Sequence, residues 1–139
     1  MKVIHIITHP VTLIVSFLFI LISGEHWGGF YILYLLLALP HGGMHALLGL
    51  VGTILLCVAI YQRNKINKHR DSSLLCIGGA LLMAGSLLSF FMQRGGEYNY
   101  GTFTQTVPVI SLIVFVALVT SFLTYNIFVL KNSKGQSTR

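Results

Sequence analysis

Four long stretches without a single charged side chain account for most of this 139-residue sequence. No Asp, Glu, Lys or Arg occurs in residues 3–24, 26–62, 72–93 or 98–130. About 20 apolar residues in an α-helix cross a hydrocarbon core of about 30 Å, so each stretch is long enough to span a membrane. The sequence therefore predicts an integral membrane protein rather than a soluble domain.

The predicted fold class is all-α, with one transmembrane domain over residues 1–139 built as a four-helix bundle. Uninterrupted apolar runs favour helices over barrel strands, because a backbone in lipid must satisfy its hydrogen bonds within its own segment or in a closed barrel. We expect a flexible cytoplasmic tail at residues 131–139, and we expect the four spans at residues 4–23, 41–61, 73–92 and 106–130.

The second uncharged stretch is too long for one span and too short for two spans with a loop. Pro40, followed by a histidine and two glycines, divides it and leaves the apolar residues 30–39 on their own. Ten helical residues cover only about 15 Å, so we predict a short re-entrant or interfacial helix between spans one and two. One long helix kinked at Pro40 is the alternative.

The basic residues lie on one side of the predicted spans. Eight of the nine Lys and Arg residues lie near the amino terminus (Lys2), in residues 63–70 (four) or in residues 131–139 (three). Only Arg94 lies in the other two connections. The positive-inside rule then places both termini and the 62–71 loop in the cytoplasm, with the protein in a bacterial-type inner or cytoplasmic membrane. Since topology explains the net charge of +6, nucleic acid is not expected as a partner.

Histidines are the most suggestive polar residues. His41 and His45 are four residues apart, which places two side chains on one face of a helix, and the topology puts His26 and Glu25 on the same outer side. Three imidazoles and a carboxylate can ligate zinc or another divalent metal, so these four residues are the predicted metal ligands. The ordinary alternative is that each imidazole sits near water and bonds a backbone carbonyl.

Haem is the other cofactor that the histidines suggest, and the sequence does not choose between haem and a divalent metal. Haem ligation by two histidines requires rings at similar depth in the membrane. His9 and His45 are predicted at opposite ends of the bundle, which disfavours that pair.

Small residues follow one helical face on each of spans two and three. Such faces allow close approach of helix backbones, which drives helix association where lipid removes the hydrophobic term. We predict packing between the two spans, with a subunit interface as the alternative. The residues concerned are Gly42, Gly49 and Gly52 on span two, and Gly78, Gly85 and Ser89 on span three.

No predicted span contains a charged residue, and the sequence has no HExxH motif and no Gly-rich phosphate loop. The leading expectation is a non-catalytic accessory or structural subunit of a larger membrane complex, with lipid and other membrane subunits as partners. One alternative is a metal- or haem-binding redox or enzymatic protein. Another is a small oligomeric channel along the polar face of span four, which carries Ser111, Thr120, Ser121, Thr124 and Asn126.

Overall fold

The computed structural model of the chain describes residues 6–25, 28–63 and 69–136. Most of these residues are helical. The α-helices are α1 (Pro10–Leu18), α2 (Tyr31–Ala38), α3 (Met44–Arg63), α4 (His69–Met92) and α5 (Thr106–Gln136). Two short strands, β1 (Leu21–Ser23) and β2 (Gly28–Phe30), and two 3₁₀ segments, Leu39–His41 and Gly96–Phe103, complete the fold.

Three of these helices are long and apolar enough to cross a membrane. The qualifying segments are Met44–Gln62, Asp71–Met92 and Thr106–Asn132. They fall where the last three spans were predicted, because length and hydropathy are sufficient to define an uninterrupted membrane helix. The mostly helical fold, with three helices able to cross a membrane, agrees with the predicted class, whereas the predicted count of four spans is not confirmed.

Helices α3 and α4 form the tightest contact of the bundle. A row of buried residues at alternating three- and four-residue spacing runs along the side of α4 that faces α3: Ser72, Cys76, Gly79, Met83, Ser86 and Phe90. At the centre of this contact, a Cβ added to Gly52 would lie 2.9 Å from the Gly79 carbonyl oxygen, and one added to Gly79 would lie 2.9 Å from the Gly52 carbonyl oxygen. Only glycine at both positions permits this approach.

The first predicted span differs from a continuous helix over residues 4–23. Helix α1 has nine residues, about 14 Å, and begins at Pro10, where the His9 ring accepts the Val11 amide at 3.3 Å. After α1 the chain becomes extended and β1 pairs antiparallel with β2. The helix can end here because hydroxyl groups of other elements accept hydrogen bonds from the backbone amides of β1.

Two side chains accept these hydrogen bonds. The Ser111 hydroxyl accepts the Leu21 amide at 3.0 Å, and the Thr102 hydroxyl accepts the Ser23 amide at 2.8 Å. Buried amides left unpaired would cost several kcal/mol in lipid, so these bonds stabilise an extended segment where a helix was expected. We call the end of the bundle that carries β1, β2 and the Gly96–Phe103 segment the hairpin end.

Helix α2 is separate from α3. The 3₁₀ turn Leu39–His41 is followed by Gly42 with φ of 66°, a left-handed conformation that reverses the chain. Leu35 of α2 then lies against Gly49 of α3, 3.1 Å from the position of an added Cβ. The chain at residues 31–63 is therefore not one long helix kinked at Pro40.

Replacing Gly79 with alanine tests the importance of the central contact. The new Cβ would overlap the Gly52 carbonyl and the Leu56 side chain, both 2.9 Å away, so the helices must separate. We expect the free energy of unfolding in detergent to fall by about 1–3 kcal/mol. The measurement is a denaturant titration of the purified protein followed by circular dichroism.

The matched control is Gly85→Ala on the same helix, where no described atom lies within 4 Å of an added Cβ. Alanine favours a helix over glycine by up to about 1 kcal/mol, so stability should be unchanged or higher. Equal losses in the two variants would contradict the packing described for Gly79.

Candidate functional site

A cluster of buried polar side chains lies at the hairpin end, between α2, α3 and α4. Tyr31 opens α2, His45 lies in the first turn of α3, and Ser86 lies in the last part of α4. Tyr31 and Ser86 have no exposed surface, and His45 is 4% exposed. Polar groups buried this deeply are costly unless they are hydrogen-bonded, so the geometry of each one matters.

The hydroxyl groups form a directed chain. The Ser86 hydroxyl donates to the His45 backbone carbonyl at 2.6 Å. Because that bond uses the single proton on Ser86 Oγ, the Tyr31 hydroxyl, 2.9 Å away, must be the donor of the second bond. Gly49 leaves space for these hydroxyl groups, since a Cβ there would lie 3.0 Å from Ser86 Oγ.

The His45 ring is held on one side only. Its Nδ1 lies 3.0 Å from Oε1 of Gln93, which follows α4 and is exposed, so Nδ1 carries the proton and donates. Nε2 is buried and makes no hydrogen bond of ordinary length and angle in the described part of the chain.

Aromatic rings surround this histidine. Phe90 makes edge contacts with the rings of His45 at 5.3 Å and of Tyr31 and Tyr34 at 5.2 Å each. Edge-to-face pairs of this kind add to the stability that burial provides. The cluster therefore fixes the start of α3 against α2 and the end of α4.

The structure does not bring the described members of the predicted metal site together on one helix. His41 is exposed in the 3₁₀ turn, where its Nδ1 lies 3.0 Å from the Leu37 carbonyl, whereas His45 is buried on α3. Glu25 is exposed, and its backbone amide bonds the Tyr98 carbonyl at 2.8 Å. His26 lies outside the described residues.

The left-handed Gly42 explains the separation of the two histidines, because α3 begins only at Met44 and the helical four-residue spacing does not apply. Within residues 6–25, 28–63 and 69–136, no group of three His, Cys, Asp or Glu side chains is placed to hold a metal ion. A metal site that includes His26 remains a prediction.

The six small residues predicted for helix packing have different surroundings. Gly49 and Gly52 are buried on α3, Gly52 against Gly79 and Gly49 against Ser86, whereas Gly42 forms the turn. On α4, Gly78 has only Leu55 nearby, at 3.7 Å, and Gly85 has no described atom within 4 Å. Ser89 lies one turn beyond Gly85 and is half-buried.

The polar side chains of span four mostly bond their own helix. The hydroxyls of Thr120 and Thr124 donate to the carbonyls four residues earlier at 2.8 Å each, and the Asn126 amide donates to the Phe122 carbonyl at 2.9 Å. Ser111 bonds the Pro108 carbonyl and also accepts the Leu21 amide. Ser121 is exposed.

Three members of the cluster, Tyr31, Ser86 and Gln93, were not among the predicted site residues. Tyr31 and Ser86 are isolated polar residues within apolar segments, and that is the signal in the sequence. It is a weak one, because a serine hydroxyl in a membrane helix usually bonds a carbonyl of its own helix.

A double-mutant cycle on Tyr31 and Ser86 tests the chain of hydroxyls. Ser86→Ala leaves a fully buried tyrosine hydroxyl without its acceptor, so the free energy of unfolding should fall by about 1–3 kcal/mol. Tyr31→Phe removes a donor and leaves Ser86 bonded to His45, so it should cost less. The double variant should cost less than the sum of the two, as measured in detergent. Additive losses would contradict the bond.

Comparison of the chain with known protein families, with curated proteins and with solved structures finds no match in any of the three.

Proposed function

We propose that the protein is a small, non-catalytic membrane protein that serves as an accessory or structural subunit of a larger membrane complex. One observation carries the proposal: α4 has a small residue, Gly85, that the described part of the chain does not use for its own packing. Gly85 has open space where a Cβ would be, and Leu81 and Leu88 beside it are 55% and 64% exposed.

The spacing of this surface suits a helix of another protein. Gly78 and Gly85 are seven residues apart, two turns of the helix, so both lie on one face with Ser89 next to them. Lipid provides no hydrophobic drive between helices, and close backbone approach at small residues is what favours their association. We call the face formed by Gly78, Leu81, Gly85 and Ser89 the small-residue face.

The proposal includes a fourth, broken membrane crossing made of α1 and β1. Three features support it. Leu13, Phe17 and Ile20 are buried in the bundle, the Phe17 ring lies 5.2 Å from that of Tyr31 and 5.7 Å from that of Phe115, and β1 continues to the hairpin end. Together, nine helical residues and the extended residues after them cover most of a hydrocarbon core of about 30 Å.

Helix α2 would be a re-entrant or interfacial element at the hairpin end. Its inner side is buried through Tyr31 and Leu35, whereas Leu33, Leu36 and Leu37 on the other side are exposed. An exposed leucine surface suits lipid rather than water. With the basic loop and both termini in the cytoplasm, the hairpin end would face the other side of the membrane.

The metal- or haem-binding alternative has one feature in its favour, the buried Nε2 of His45, which makes no hydrogen bond of ordinary geometry in the described part of the chain. The exposed position of His41 and of Glu25 counts against a closed site, because structural metal ligands are held together by their surroundings. The channel alternative loses support from Thr120 and Thr124, whose hydroxyls already bond their own helix.

Purification from the native membrane in mild detergent tests the subunit proposal. We expect wild-type protein to retain a partner in fixed stoichiometry, and Gly85→Leu to lose it, since a leucine prevents close approach of a second helix. Gel analysis with mass spectrometry measures the partner, and thermal unfolding of the variant checks that its own fold is intact.

Val114→Leu is the control, because it changes a half-exposed apolar residue on α5, away from the small-residue face. It should retain the partner. A monodisperse monomer in the wild-type sample would refute the subunit proposal, and equal retention by Gly85→Leu would refute the role of the face.

Elemental analysis and an absorption spectrum of the same samples distinguish the metal alternative. We expect no stoichiometric metal or haem, and no difference between the wild type and His41→Ala, an exposed position whose replacement should not disturb the fold. A stoichiometric metal that is lost in His41→Ala would instead identify the histidines as ligands.

A further inference from the structure

A groove of about 710 Å³ opens between α4 and α5 in the half of the bundle next to the hairpin end. Phe115, which is almost completely buried, and the half-buried Ala84 form part of its floor, whereas Ala117 is an exposed lining residue. Phe91 and Phe103 lie at its outer end, 4.7 Å apart between ring centres. All twelve lining residues are apolar, so the groove offers no hydrogen bond to an occupant.

The lining favours a flexible hydrocarbon chain over a protein helix. Surfaces that receive a membrane helix are rich in small residues, as the small-residue face is. This groove is lined instead by large side chains, with alanine at only two of its twelve positions. Along α4 it extends from Ala84 to Met92, about 12 Å, which is close to half of a hydrocarbon core of about 30 Å.

The outer end of the groove has a positive charge and an aromatic rim. Arg94 follows the lining residue Met92 by two positions, is exposed, and is the single Lys or Arg between residues 71 and 130. The Tyr100 ring packs on Phe103 at 5.9 Å, and its hydroxyl lies 3.5 Å from the Phe91 carbonyl. Aromatic rings with a polar group are typical of the headgroup region.

We propose that this groove is a binding site for an anionic phospholipid. One acyl chain lies along α4 and α5, and the phosphate pairs with Arg94, whose guanidinium can donate two parallel hydrogen bonds to phosphate oxygens. This inference needs only that the three long helices lie in a membrane, so it does not depend on the subunit proposal.

Photo-crosslinking tests the site. The probe is phosphatidylglycerol with a photoactivatable group on its acyl chain, added to purified protein in phosphatidylcholine vesicles, and mass spectrometry locates the crosslinks. We expect them on groove-lining residues of the two helices, namely Ala84, Leu87, Leu88, Phe91 and Met92 on α4 and Val109, Leu112, Ile113, Val116 and Ala117 on α5. Ala117→Phe should reduce them, because Ala117 is an exposed lining residue and a phenylalanine there occupies space in the groove without displacing the core.

Val114→Phe is the matched control, since it adds the same ring to an exposed position of α5 outside the groove, and its crosslinks should match those of the wild type. A probe with a phosphatidylcholine headgroup keeps the phosphate but adds a positively charged choline group that offsets its attraction to Arg94, so labelling should be weaker, by up to about fivefold. Arg94→Gln should remove that preference and leave residual labelling of the groove.

Two results would overturn the proposal. One is labelling spread evenly over all lipid-facing residues, including Ile110 and Val114, and the other is labelling unchanged in Ala117→Phe. Thermal unfolding of each variant, compared with the wild type, distinguishes loss of the site from loss of the fold. Equal labelling by the two headgroups would refute the role of Arg94 and the anionic preference.

Discussion

The fold depends on the contact between two peptide backbones at the centre of α3 and α4. In lipid, apolar side chains gain nothing by leaving their surroundings, so helix association relies on dense packing and weak polar contacts between backbones. Gly52 and Gly79 provide both, because each lies beside the carbonyl oxygen of the other. This contact sets the relative position of the two helices, and the buried residues at either end of it follow from that position.

At one end of this contact, the helices enclose polar groups that must be paired. Ser86 faces the His45 carbonyl because α3 and α4 approach closely, and the space above Gly49 admits Leu35 and Phe17 from the first half of the chain. Tyr31 then completes the chain of hydroxyls. The position of α2 is therefore a consequence of the α3–α4 contact together with the need to satisfy a buried tyrosine.

The sequence predicted the three long helices well, because an uncharged apolar stretch of the right length has one stable form in lipid. It did not predict the break after α1, since the groups that replace the helical bonds, Thr102 and Ser111, lie 79 and 90 residues away. A local pattern carries no information about such partners.

The candidate site was harder to predict for a related reason. The four-residue spacing of His41 and His45 suggested a shared face, but Gly42 adopts a left-handed conformation that places the two rings in different surroundings. On α4, two successive glycines were available, and the close backbone contact with α3 falls at Gly79, whereas Gly78 has only the Leu55 side chain of α3 nearby, at 3.7 Å. Successive residues differ in direction by about 100° on a helix, so the pattern of small residues alone could not choose between them.

The way in which β1 is held also bears on the order of events during synthesis. The amides of Leu21 and Ser23 find their acceptors on Ser111 and Thr102, which leave the ribosome long after the first apolar segment has reached the membrane. Until then these amides need water, lipid headgroups or a transient helix to satisfy them. The bonds that hold β1 can therefore form only after Thr102 and Ser111 have been translated.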